Sequence, residues 1–110
     1  MKNKSEELVL RIRAAVKPWE EYITEKRMFG GYCTLYKGKM CVGERKERLM
    51  VRVVSEKMEE VMKNPQVKPM DFTGKPMKEF IFVMESGYDT EEKLQQWIEL
   101  GIEHAIRKSK

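Results

Sequence analysis

Between Met77 and Glu85 the chain alternates Phe80, Phe82 and Met84 with Ile81 and Val83. Successive strand side chains point to opposite faces of a sheet. A strand that is apolar on both faces needs cover on both. No other stretch constrains the fold as tightly: it asks for a sheet with material packed on each side.

The flanking segments supply that material. Ser5 followed by Glu6 and Glu7 suits a helix start. Leu8, Ile12, Ala15 and Trp19 then recur at helical spacing. Residues 5 to about 24 are expected to be helical, interrupted near 17 and 18 because Pro18 cannot donate to the preceding turn. Arg27 to Tyr36 is rich in strand-favouring residues, and Gly30-Gly31 within it predicts a bulge, a bend or a close backbone approach. Lys37-Gly38 predicts a two-residue turn, with Lys39 to Gly43 returning. After the charged loop Glu44 to Arg48 comes a strand from Leu49 to Val54. Ser55 then caps a short helix that ends at Asn64-Pro65. Pro69 marks Val67 to Phe72 as an edge strand, and Thr73 to Pro76 as the turn before the doubly apolar strand. A final helix is expected from Asp89, with Glu92 completing a capping box. Its apolar stripe is Leu94, Trp97, Ile98, Gly101, Ala105 and Ile106. The order is α-β(3)-α-β(2)-α, an α+β fold with a mainly antiparallel sheet.

The 110 residues are 41% hydrophobic, enough for a core, and are read as one domain spanning 1–110. No apolar run approaches the roughly 18–20 residues of a membrane span. The charged N-terminus lacks the apolar region of a signal peptide. A cytoplasmic location is expected. The net charge of +4 comes from mixed, alternating charges, the pattern of a solvated surface.

Chemistry-bearing constellations are sparse. The expected hairpin register pairs Tyr36 with Lys39, Leu35 with Met40, Thr34 with Cys41 and Cys33 with Val42. That places the Cys33 and Cys41 thiols on opposite faces, so they are expected to be free. There is no CxxC motif, and with His104 the only histidine a Cys/His zinc site cannot be completed. His104 is expected on the flank of the last helix's apolar face, partly exposed. Glu59-Glu60 and Glu91-Glu92 are adjacent pairs whose side chains diverge. Gly30-Gly31 and Gly74-Lys75 lack the context of a phosphate loop. No catalytic, cofactor-binding or metal-binding residue is assigned, and the chain is read as non-enzymatic.

Two kinds of binding are expected instead. Tyr32 and Tyr36 share a hairpin face, and Met58 and Met62 line the short helix; these are candidates for a protein partner or self-association as a homodimer. Lys37, Lys39, Arg45, Lys46 and Arg48 form a basic excess near the hairpin, the candidate nucleic-acid contact. A thiol-based activity at Cys33 or Cys41 is the third option.

Several segments also resemble a known family. Met28-Phe29-Gly30-Gly31-Tyr32 resembles the MFGG signature of the N-terminal domain of TfoX/Sxy proteins. Gly38-Lys39-Met40, Leu49-Met50-Val51-Arg52-Val53, the run from Pro69 to Lys78, and Trp97 with Gly101 follow in the family's order. Glu79 departs from the pattern, where glycine is expected after Met-Lys. The resemblance implies the same α-β(3)-α-β(2)-α order and a link to regulation of bacterial competence genes together with the cyclic-AMP receptor protein. Those regulators carry a second, C-terminal helical domain, and the 110 residues are expected to correspond to the N-terminal one alone. The resemblance assigns no catalytic residues. Met28, Phe29, Gly30, Gly31, Arg52, Asp71, Gly74 and Trp97 are accordingly expected to build the fold, with Arg52 paired to Asp71.

Overall fold

A computed structural model describes residues 4–28, 30–71 and 76–108. It is an α+β fold built on a six-stranded sheet. The elements are α1 (Lys4–Ala15), a 3-10 segment (Lys17–Tyr22), β1 (Ile23–Met28), β2 (Gly31–Tyr36), β3 (Lys39–Arg45), β4 (Arg48–Arg52), α2 (Ser55–Val61), β5 (Val67–Asp71), β6 (Pro76–Val83), a 3-10 turn (Glu85–Gly87) and α3 (Glu91–Lys108). The strands lie in the order β1-β2-β3-β4-β6-β5, and every neighbouring pair is antiparallel.

The doubly apolar strand behaves as its sequence requires. Ile81 and Val83 of β6 join Val42, Leu49 and Val51 in a core closed by Leu8 and Ile12 of α1 and by Leu94, Trp97, Ile98 and Ala105 of α3. Phe80 and Phe82 point the other way and share a second buried cluster with Cys33, Leu35, Met40, Met50 and Met70. Each fully buried apolar side chain contributes about 1.5–3 kcal/mol. Pro69 sits in β5, the edge strand next to β6, where its missing N–H costs no ladder bond on the open side.

Four strands, not three, precede α2. Ile23–Met28 pairs in register with Gly31–Tyr36, from Ile23 opposite Tyr36 to Met28 opposite Gly31. The expected helical stretch therefore ends early: α1 stops at Ala15, Pro18 opens the 3-10 segment, and Ile23 is already extended. Gly30-Gly31 marks the reversal between two strands instead of a bend within one. Gly30 has φ +71, a conformation most side chains avoid. At Gly31 an added Cβ would lie 2.2 Å from the Glu44 carbonyl oxygen, so β3 approaches too closely for any other residue.

The β2–β3 turn is the expected one. Lys37 (φ 49) and Gly38 (φ 81) are both left-handed, as a type I′ hairpin turn requires. The register follows expectation only through Leu35–Met40. Cys41 then bulges, so Thr34 faces Val42 and Cys33 faces Gly43. The bulge turns Cys41 into the helix-side core while Cys33 stays in the opposite cluster. The two cysteines lie on opposite faces as expected, and neither is in a disulfide.

The helix ends differ in detail. Ser5 lies within α1, not at its cap. At α3 it is Thr90, not Asp89, whose hydroxyl accepts the Lys93 backbone N–H at 3.2 Å, while Asp89 takes the Lys93 ammonium at 3.0 Å. His104, expected at a partly exposed flank, is fully buried on α3.

Candidate functional site

The tyrosine face of the hairpin packs beneath α1. Tyr36 is buried, tilted against Tyr22 with ring centroids 5.4 Å apart. Tyr32 stays half exposed, tied into a polar cluster with α1 and β1. Its hydroxyl donates to Glu25 and accepts from the Arg13 guanidinium at 2.7 Å, while Arg13 Nε donates to Glu25 at 2.9 Å. Hydrogen bonds from Arg13 hold the Glu25 carboxyl below the usual range. These contacts fasten α1 to the sheet edge, so neither tyrosine presents an open apolar face.

The two methionines of interest separate. Met58 packs partly buried against the helix-side core, and Met62 is 38% exposed. Beside them, Val61 and Pro65 face Trp97 and Leu100 of α3 across an open groove of about 530 Å³ whose rim carries Glu60, Lys63 and Gln96. No residue of α2 is fully buried. Charge fastens it to α3: Lys57 reaches Glu103 at 2.7 Å, and Arg107 reaches Glu56 at 2.5 Å.

The five basic residues expected to act together do not form one patch. Lys37 and Lys39 lie at the β2–β3 turn, whereas Arg45, Lys46 and Arg48 lie around the β3–β4 turn. The length of β3, about 20 Å for its seven residues, separates the groups. At the second turn Lys46 (φ 50) and Glu47 (φ 66) adopt left-handed backbone. The Tyr88 hydroxyl, donating to the Glu47 carbonyl at 2.5 Å, and the Glu44 carboxylate, accepting the Glu47 N–H at 2.9 Å, hold them there.

Cross-strand pairing groups the cations differently. Directly opposed residues of an antiparallel pair share a face. Lys26 stands opposite Cys33, Lys68 opposite Phe82, and Arg45 opposite Arg48. Arg48 and Arg52 flank Met50 at two-residue spacing. All five cations therefore lie on the face turned away from α1 and α3. The Arg48 guanidinium sits 4.0 Å from the Phe82 ring centre and that of Arg52 4.9 Å from Phe80. Lys26 and Lys68 escaped the sequence reading, and Arg52 was expected only as a fold residue paired to Asp71, because a run of neighbouring charges draws attention, whereas a sheet face collects alternate residues from distant strands.

The family-motif residues occupy structural positions where they are described. Trp97 Nε1 donates to the Gly87 carbonyl at 2.8 Å, locking α3 to the preceding 3-10 turn. Arg52 is half buried over Phe80. The expected partner carboxylate of Asp71, with Phe29 and Gly74 and the side chain of Met28, lies outside the described residues.

Sequence reading also missed a cluster around Glu79. Its backbone has φ 65. Its carboxylate accepts from Ser55 Oγ at 2.7 Å and meets His104 Nε2 at 3.2 Å, joining the start of α2, β6 and the C-terminal half of α3. The acid stands between hydroxyl and imidazole, whereas nucleophilic catalysis needs the base in contact with the nucleophile. The one available signal was the loss of an expected glycine. Burial pushes the Cys41 thiol up to about 12, which leaves it protonated and unreactive at neutral pH. Among the described residues no group of three His, Cys, Asp or Glu side chains could hold a metal ion, and no helix is long and apolar enough to cross a membrane.

Helices on one face of a six-stranded antiparallel sheet, with fold-building residues at the motif positions, define a small α+β module of the TfoX type. The TfoX N-terminal domain model matches residues 14–105, and the chain belongs to that family. No curated protein matches it.

Proposed function

We propose that this chain is a non-enzymatic regulatory module that works by contacting another protein, and that the groove between α2 and α3 is the contact surface. Membership of the TfoX N-terminal domain family supports a regulatory role of the TfoX type. The observation that carries the reading is the groove itself. Val61, Pro65, Trp97 and Leu100 line it together with the charged Glu60 and Lys63 and the polar Asn64 and Gln96. Apolar side chains set among polar ones are the anatomy of a protein interface.

A second copy of the chain is the first partner to test. Size-exclusion chromatography with light scattering, at low and high salt, reads the assembly state of the pure protein. A dimer that survives high salt and is split by Pro65→Glu, an exposed residue of the groove lining, supports the reading. A dimer that Pro65→Glu leaves intact removes the groove from the interface, and a monomer at every concentration ends self-association.

A further inference from the structure

We propose that the sheet face turned away from α1 and α3 binds the phosphate backbone of double-stranded nucleic acid, without reading its sequence. This surface lies opposite the α2–α3 groove, and the inference does not depend on it.

The argument begins with where opposite charges meet. On the helices, cations are matched by carboxylates: Arg11 by Glu91, Arg13 by Glu25, Lys57 by Glu103, Lys93 by Asp89 and Arg107 by Glu56. On the far sheet face, the strand side chains described include no acid. Lys26, Arg48, Arg52 and Lys68 make no ion pair with any described residue, and Arg45 adds a fifth positive charge to the same face. Four cations without a carboxylate partner among the described residues on one face favour a polyanionic partner.

The spacing fits an extended partner. One transverse row crosses all six strands, running Lys26–Cys33–Gly43–Met50–Phe82–Lys68. With neighbouring strands about 4.8 Å apart, the two terminal lysines stand about 24 Å apart along the sheet. At about 3.4 Å per base step, that span covers about seven steps of a duplex. Arg48 and Arg52 lie between them, about 13 Å apart along β4.

The floor decides between duplex and single strand. Single-strand binders stack bases on open aromatic rings. Here Phe80 and Phe82 are buried, and the guanidinium groups of Arg52 and Arg48 already cover them. Stacked arginines still offer their N–H edges to phosphate oxygens. Among the described residues, the surface has cations for a backbone but no free ring face for a base.

The test uses the full chain and a fluorescently labelled 16-base-pair duplex, with the matching single strand as comparison, read by anisotropy from 50 to 200 mM salt. Duplex affinity should fall with salt at a log–log slope of about −3.6 for the four phosphate contacts of Lys26, Arg48, Arg52 and Lys68. Lys26 and Lys68 are exposed, so Lys26→Glu with Lys68→Glu should leave the circular dichroism spectrum unchanged. That double variant should weaken duplex binding at least tenfold and reduce the slope by about 1.8. Lys63→Glu, on the helix side, should change the affinity less than twofold. Four results would overturn the proposal: no duplex binding at 50 mM salt, tighter binding to the single strand, an unchanged affinity in the double variant, or equal losses in the double and control variants. Stronger binding to phosphatidylserine vesicles than to the duplex would assign the face to a membrane surface and also overturn it.

Discussion

At position 79 a glutamate occupies backbone that side chains avoid. The left-handed conformation costs a non-glycine residue about 1–2 kcal/mol, and φ 65 at Glu79 falls within it. The Val53 N–H donates to the Glu79 carbonyl at 2.8 Å, so the strand bonding here is kept. In return for the strain, the carboxylate engages Ser55 and His104 and bridges three elements that a glycine would leave unjoined. The two effects can be separated. Glu79→Ala keeps the strain and loses both contacts, so urea denaturation should show a loss of about 2–3 kcal/mol. Glu79→Gly loses the contacts but relieves the strain, and should be more stable than the alanine variant by about 1–2 kcal/mol. Equal stability of the two variants would mean that the backbone carries no strain at this residue. The position was visible in the sequence only as a missing glycine. What replaces glycine's freedom there depends on His104, 25 residues away, which local spacing does not reveal.

Among the elements, α3 and β6 were legible and β1 was not, for different physical reasons. The α3 stripe has a helical period over a long stretch, and β6 alternates apolar residues on both faces; each pattern has few competing explanations. β1 reads Ile-Thr-Glu-Lys-Arg-Met. It is an edge strand whose outward residues are polar, and Trp19 and Tyr22 before it, with its own Ile23, mimic helical spacing. Only its pairing with β2 makes it a strand. The Cys41 bulge was illegible too, since no local pattern marks it; it lies where α3 meets β3. Gly101 lies at that meeting. An alanine Cβ there would stand 2.5 Å from the Cys41 carbonyl oxygen and 2.8 Å from Val42 Cγ1. Backbone cannot rotate away as a side-chain end can, so α3 must lift from β3. Gly101→Ala should therefore destabilise the protein by about 1–2 kcal/mol in urea denaturation, although alanine favours a helix over glycine by about 1 kcal/mol. A variant more stable than the parent would show that the helix has room to move.

At the scale of the whole molecule, the described charges are sorted by face: carboxylates pair with cations on the helix side, and cations prevail among the described residues on the far side of the sheet. Individual charges were plain in the sequence, but the sorting was not, because it follows from strand order and register. The helix-side pairing makes stability depend on pH in a defined direction. The Glu25 carboxyl is held low by hydrogen bonds from Arg13 and that of Glu103 by Lys57. Their folded pKa values lie below the unfolded carboxylate value of about 4.3. The stability they contribute is complete above that value and disappears as the pH falls through the lower folded values. These pairs are near the surface, so each is worth at most about 1 kcal/mol. Acid also removes negative charge throughout the chain while every cation stays charged, so general repulsion acts in the same direction. Urea midpoints should be level from pH 7 to pH 5 and decline below about pH 4. In the Arg13→Ala, Lys57→Ala double variant the midpoint at pH 7 should already be lower, and its acid decline shallower. A double variant whose profile runs parallel to the parent's down to pH 2.5 would show that these two pairs contribute nothing to acid sensitivity, leaving the chain's other carboxylates as its source.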